Sequence, residues 1–175
     1  DWENVKALYA DYKGDVTHRN HFGWGRIGTL TNDTGRNDLQ LGKVTNDGKN
    51  IYFYMKTGSD ITDPSDPQLF LHVTGETAWE GFDFAINRTA PSKTEAQLEK
   101  SLGGWSWEKV TKVQYCVKGN EIEIAVPLES LGISDPDKFT VDFKWIDNAA
   151  GDGNIQTCMR DGDSAPDGRF RYRYK

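Results

Sequence analysis

Cysteine, methionine and proline are scarce in this 175-residue chain, at two, two and six residues. Two cysteines, Cys116 and Cys158, permit one disulfide without demanding it, which excludes a fold stapled by several bridges. Cys116 stands in the strand-like run VQYCV, where a buried free thiol also fits. Long apolar runs are missing as well. No stretch approaches the roughly 18 apolar residues that a membrane-crossing helix needs, so membrane insertion is not expected. Positive charge is in deficit, with 21 basic against 27 acidic side chains and a net charge of -6. That balance argues against a nucleic-acid partner, because neutralising phosphates requires a basic field. No signal-peptide pattern precedes Asp1, and the abrupt start fits an excised module or a mature form.

Catalytic signatures are absent too: there is no G-x-S-x-G elbow, H-E-x-x-H helix or P-loop. Glycoside hydrolysis needs only two facing carboxylates, but 27 acidic residues single out no pair. The chain therefore reads as non-catalytic. Residues 23–28, GWGRIG, match G-x-G-x-x-G to the letter. A dinucleotide site would need a helix next, and the turn-forming TLTNDTGRND follows instead, so the match is rejected. His18 and His21 have no third and fourth zinc ligand at a sensible spacing.

Glycine (18 residues) and aromatics (12%) are plentiful, the makeup of turn-rich sandwiches and barrels. Alternation of period two marks the strands. Phe139, Val141, Phe143 and Trp145 share one face, and near the end of the chain Phe170, Tyr172 and Tyr174 oppose Arg169, Arg171 and Arg173. Ile51, Phe53 and Met55 point inward from IYFYMKT, which pairs with residues 39–44 across the turn Asn46-Asp47-Gly48. Residues 69–73 and 82–87 form another pair, as do 113–117 and 121–126 across Lys118-Gly119-Asn120. Thr94 and Gln97 are spaced as a capping box and predict a short helix that Gly103 ends, and residues 127–131 predict one helical turn. About eight strands and no long helical period predict one all-β domain over residues 1–175, an antiparallel β-sandwich with one or two short helical turns.

Six tryptophans stand out, and Trp24, Trp105 and Trp107 lie in Gly-rich or polar loop contexts (FGWGR, GGWSWEK), as does Trp79 in GETAWEG. Indole offers a broad apolar face at small entropic cost, suited to the C–H face of a sugar ring. Trp24, Trp105 and Trp107 with Arg26, Arg36 and Asp38 as hydrogen-bonding partners are the candidate saccharide site; plugging the ends of the core is the other role such tryptophans take. Five aspartates fall in the 21 residues from Asp147 to Asp167. Asp11, Asp15, Asp147, Asn148, Asp161 and Asp163 are hard oxygen donors on turns, matching the six to eight oxygens that calcium takes. No contiguous calcium loop exists, so such a site would be composite and structural, stapling the N-terminal loop to the C-terminal one.

Several blocks together carry a family resemblance: YADYKGDVTHRNHFGWG, GRNDLQLGKV, KNIYFYMKTGSDIT, WEGFDFAINR, GNEIEIAVPLESLG, FKWIDN and GDSAPDGRFRYRY. In this order, from about Tyr9 to Tyr174, the chain resembles the family 9 carbohydrate-binding modules, and more closely the family 9-like (DOMON-like) domains of bacterial secreted polysaccharide-active proteins. The resemblance implies an immunoglobulin-like or jelly-roll-like sandwich, structural calcium, an oligo- or polysaccharide ligand, an attached catalytic domain as neighbour, and an extracellular, periplasmic or cell-surface location. A docking module with no ligand of its own is the alternative on the same frame.

Overall fold

The computed structural model describes residues 1–15, 18–23, 25, 28–32, 37–63, 67–73, 81–104, 106–147, 162–168 and 170–175. Among them, the regular structure is almost entirely antiparallel strand: β1 (Leu8–Ala10), β2 (Arg19–Phe22), β3 (Thr29–Asn32), β4 (Leu39–Asn46), β5 (Asn50–Thr57), β6 (Gln68–His72), β7 (Phe84–Ile86), β8 (Glu95–Gly103), β9 (Ser106–Lys118), β10 (Glu121–Pro127), β11 (Val141–Asp147), β12 (Asp163–Ala165) and β13 (Tyr172–Tyr174). Two 3-10 turns, Trp2–Asn4 and Leu128–Leu131, complete the described elements. Among the described residues, no helix is long and apolar enough to cross a membrane.

The all-β, sandwich-like fold is present, and its two layers are halves of one sheet. Eleven strands join in the order β1-β4-β5-β10-β9-β8-β7-β6-β11-β12, with β13 also paired to β11, while β2 and β3 form a separate hairpin. Phe53 of β5 meets Phe143 of β11 edge-on at 5.5 Å between centroids, although the two strands share no ladder. The halves therefore pack face to face. Between them lie Leu39, Val44, Ile51 and Met55 from one side and Leu69, Leu71, Ile86, Val141 and Trp145 from the other. Each such side chain contributes about 1.5–3 kcal/mol by leaving water.

Local chemistry sets the best-defined hairpin. Asp47 Oδ1 accepts from the backbone N–H groups of Lys49 (2.9 Å) and Asn50 (2.7 Å), while Gly48 takes φ 82°, a conformation that glycine adopts without steric cost. Strands β4 and β5 leave this turn in register and put Ile51, Phe53 and Met55 inside, as the alternation predicts.

Five expectations need correction. The helix predicted from Thr94 to Gly103 is strand β8: Ala96 and Leu98 face the core, Ser92 Oγ accepts from Thr94 N and Glu95 N to start the strand, and Glu99 pairs with Arg88 on the outer face. Trp107 lies within β9 and not in a loop. Residues 29–32, expected as turn, form β3 and pair with β2. Cys116 is exposed, because it points outward from β9 while Val113 and Tyr115 point inward. Phe170 is 71% exposed and precedes the last strand, whereas Tyr172 and Tyr174 pack on the core. Cys158, Trp24, Trp79, Trp105, Arg26, Arg36, Asn148, Asp161 and Arg169 lie outside the described residues.

Candidate metal centre and ligand face

The sheet's two ends come together at a cluster of carboxylates. Asp11 follows β1, Asp38 precedes β4, Asp163 opens β12, and Asp15 and Asp167 sit on the adjoining loops. One carboxylate oxygen each from Asp11, Asp15 and Asp167 lies within 4.8 Å of the others, and the same holds for Asp15, Asp38 and Asp163. Asp163 is fully buried, with Oδ2 accepting from Leu39 N at 2.6 Å and Oδ1 from Ser164 N at 2.8 Å. Asp38 accepts from Gly14 N (2.8 Å) and Gln40 Nε2 (2.7 Å). By contrast, Asp11 Oδ2 and both oxygens of Asp15 are buried with no hydrogen-bond donor among the described residues.

That arrangement is electrostatically unfavourable without a cation. Burial first, then Asp163, Asp15 and Asp167, push the Asp11 carboxyl up to about 8. Asp15 rises to about 7 through burial and its neighbours Asp163 and Asp167, and Asp163 to about 6, chiefly through burial. Tyr172, whose hydroxyl donates to Ala10 O at 2.8 Å, is also raised, by burial and then by the same carboxylates. Orphaned buried oxygens and an all-oxygen donor set fit a hard divalent cation such as calcium. Arg19 donates to Gly162 O, next to Asp163, at 2.8 Å.

Of the six metal residues expected from sequence, Asp11, Asp15 and Asp163 do meet. Asp38, expected beside a sugar, joins them, and Asp167 completes the set. Asp147 does not join either group: it is the cross-strand neighbour of Asp163, but its Oδ1 accepts from Asn37 Nδ2 at 2.9 Å. Both Asp147 and Asn37 are fully buried, and Asn37 holds φ 51°.

Replacing Asp15 by Asn tests the electrostatics directly. The amide keeps the shape and removes one repelled charge. Asp15→Asn is expected to raise the melting temperature of the cation-free protein above pH 7, and to weaken calcium binding roughly tenfold or more, by calorimetric titration.

A second candidate site lies on the outer face of the other half of the sheet. Register places Glu99, Ala85, Phe70 and Lys144 in one cross-strand row over β8, β7, β6 and β11. Gln68, Ile146 and Ser164 form the next row. An outer face is ordinarily wet, yet Glu99, Ser101, Gln68 and Lys144 are all at most 5% exposed. Trp107, opposite Ser101, packs its ring against Phe70 with centroids 6.1 Å apart, and Phe70 meets Phe82 at 5.7 Å. Arg88 donates Nε to Glu99 Oε2 at 2.9 Å and holds its guanidinium 5.2 Å from the Trp107 ring centroid. Arg171 stacks likewise over Phe82 and donates to Gly81 O. Gln68 Oε1 is buried with no donor among the described residues. Sequence reasoning named Trp107 here but missed Arg88, Glu99 and Gln68, whose only signal was polar letters at outward strand positions.

No known family model matches the chain, and no curated protein matches it.

Proposed function

We propose that this chain is a non-catalytic, calcium-braced module that binds a saccharide and keeps an attached catalytic domain close to its polysaccharide. The observation that carries the reading is the face around Trp107. It combines an indole ring with an Arg88 guanidinium that Glu99 fixes beside it. Indole suits the apolar face of a pyranose, and the oriented guanidinium offers donors to its hydroxyls. Calcium at Asp11, Asp15, Asp38, Asp163 and Asp167 braces the frame without touching the sugar.

Affinity electrophoresis in a panel of plant and microbial glycans tests this. At least one glycan is expected to retard the wild-type protein. Trp107→Ala should weaken that binding about thirtyfold, the size of a 2 kcal/mol anchor. Retardation by no glycan, or retardation that Trp107→Ala leaves unchanged, removes the assignment. The exposed rings of Tyr12, Phe22 and Phe170 favour a second reading, in which the module packs against a neighbouring domain and has no ligand of its own. That reading expects stabilisation by the neighbour and none by any sugar.

A further inference from the structure

The half of the sheet built from β5, β10 and β9 carries a separate groove on its own outer face, of about 340 Å³. Its origin is a register accident with a chemical result. Ala125 of β10 stands between Tyr52 of β5 and Gln114 of β9, and its short side chain leaves a trough between two longer ones. Trp2, Tyr52, Gln114, Cys116, Glu123 and Thr94 rise around that floor.

The aromatic walls are fixed in place. Trp2 stacks on Tyr54 with centroids 5.2 Å apart, its carbonyl accepts from Lys43 Nζ at 2.5 Å, and Asp1 caps its turn through Glu3 N. Tyr54 is held in turn by donating to Glu121 Oε1 at 2.8 Å, and Tyr52 donates its hydroxyl to Asp47 Oδ2 at 2.7 Å. Neither Trp2 nor Tyr52 belongs to the core. The polar rim is the opposite case: among the described residues the side chains of Thr94, Gln114 and Glu123 hold no hydrogen bond or ion pair. Two pinned rings facing three uncommitted hydroxyl, amide and carboxylate groups form a preorganised amphipathic slot on rigid strands. Its volume falls within the roughly 300–1,000 Å³ of small-molecule sites.

We infer that this groove is a second saccharide subsite, taking one or two pyranose rings against Trp2 and Tyr52 with their hydroxyls on Gln114, Glu123 and Thr94. It shares no residue with the Trp107 face, so a module with both would hold two sugar segments at once and gain by avidity on a polymer.

Cys116 makes the test local, because its exposed thiol lies in the groove wall. Peptide-resolved labelling of Cys116 by iodoacetamide is followed with cellobiose, xylobiose, maltose or mannobiose present. At least one disaccharide is expected to slow labelling several-fold, to perturb the Trp2 indole N–H signal in NMR spectra, and to do both equally in Trp107→Ala. Tyr52→Ala, which leaves the core intact, should abolish the protection. The inference is overturned if no disaccharide protects Cys116, or if protection survives Tyr52→Ala. Protection lost in Trp107→Ala would also overturn it, by placing the only sugar on the other face. Loss of glycan retardation in Trp107→Ala with Cys116 still protected would support both sites, whereas protection without any Trp107-dependent binding would leave this subsite standing and remove the face proposed above.

Discussion

Adding a chelator to the calcium-loaded protein is expected to lower its melting temperature by about 8–16 °C. A cation present at a thousandfold its dissociation constant stabilises by about 4 kcal/mol, and each kcal/mol moves the melt of a chain this size by roughly 2–4 °C. The direction of the pH dependence is a sharper test. In the cation-free protein, Asp11, Asp15 and Asp163 titrate at about 8, 7 and 6, all above the ordinary 3.8. The folded state then holds protons that the unfolded chain has released. Their contribution is fully present below about pH 4 and is lost as pH rises through 6 to 8. Bound calcium needs the same groups ionised, so its contribution grows across that window. Melting followed from pH 5 to 9 should therefore fall with pH in chelator and hold or rise with pH in calcium. Parallel curves in the two conditions, with no calcium in metal analysis, would refute the cation site.

Phe143→Ala should destabilise the fold by about 3–5 kcal/mol in urea unfolding, with calcium present throughout. Phe143 is fully buried at the meeting of both halves of the sheet. Its ring contacts Tyr9 at 4.8 Å, Phe53 at 5.5 Å and Tyr172 at 5.4 Å, so one truncation opens a void against β1, β5 and β13 together. The outward neighbour Asp142, which bonds Arg173 through Nε at 2.6 Å, gives a contrast on the same strand. Its partner Arg173 is exposed, and such pairs contribute at most about 1 kcal/mol. A Phe143→Ala loss no larger than that of Arg173→Ala would mean that the layers are not pinned there.

The parts of the fold that could be read in the sequence are those where local chemistry and burial agree. Asn46-Asp47-Gly48 flanked by alternating apolar residues specifies the β4–β5 hairpin, and Lys118-Gly119-Asn120 does the same for β9 and β10. Strand β8 was hidden because its outward residues Glu99 and Ser101 are buried by tertiary packing, which no helix or strand period reports. Every residue of β11 is buried for the same reason, although its sequence alternates as a half-exposed strand does. The acidic centre was half legible. Asp11, Asp15 and Asp163 could be named as oxygen donors, but grouping them with Asp38 and separating them from Asp147 depends on which strand ends the topology brings together. Arg88, Glu99 and Gln68 were invisible because a buried outer face looks, in sequence, like a wet one.

The closure of the sheet has a kinetic consequence. The bonds that join its ends span long separations: Leu39 to Asp163 over 124 residues, and Tyr9 to Arg173 over 164. Adjacent hairpins such as β4–β5 form at small entropic cost, whereas these closures must wait until the intervening chain is ordered. The junction between the first and last strands is then expected to form last and to exchange its amide hydrogens first, and a divalent ion seated across it would act as a latch on that opening.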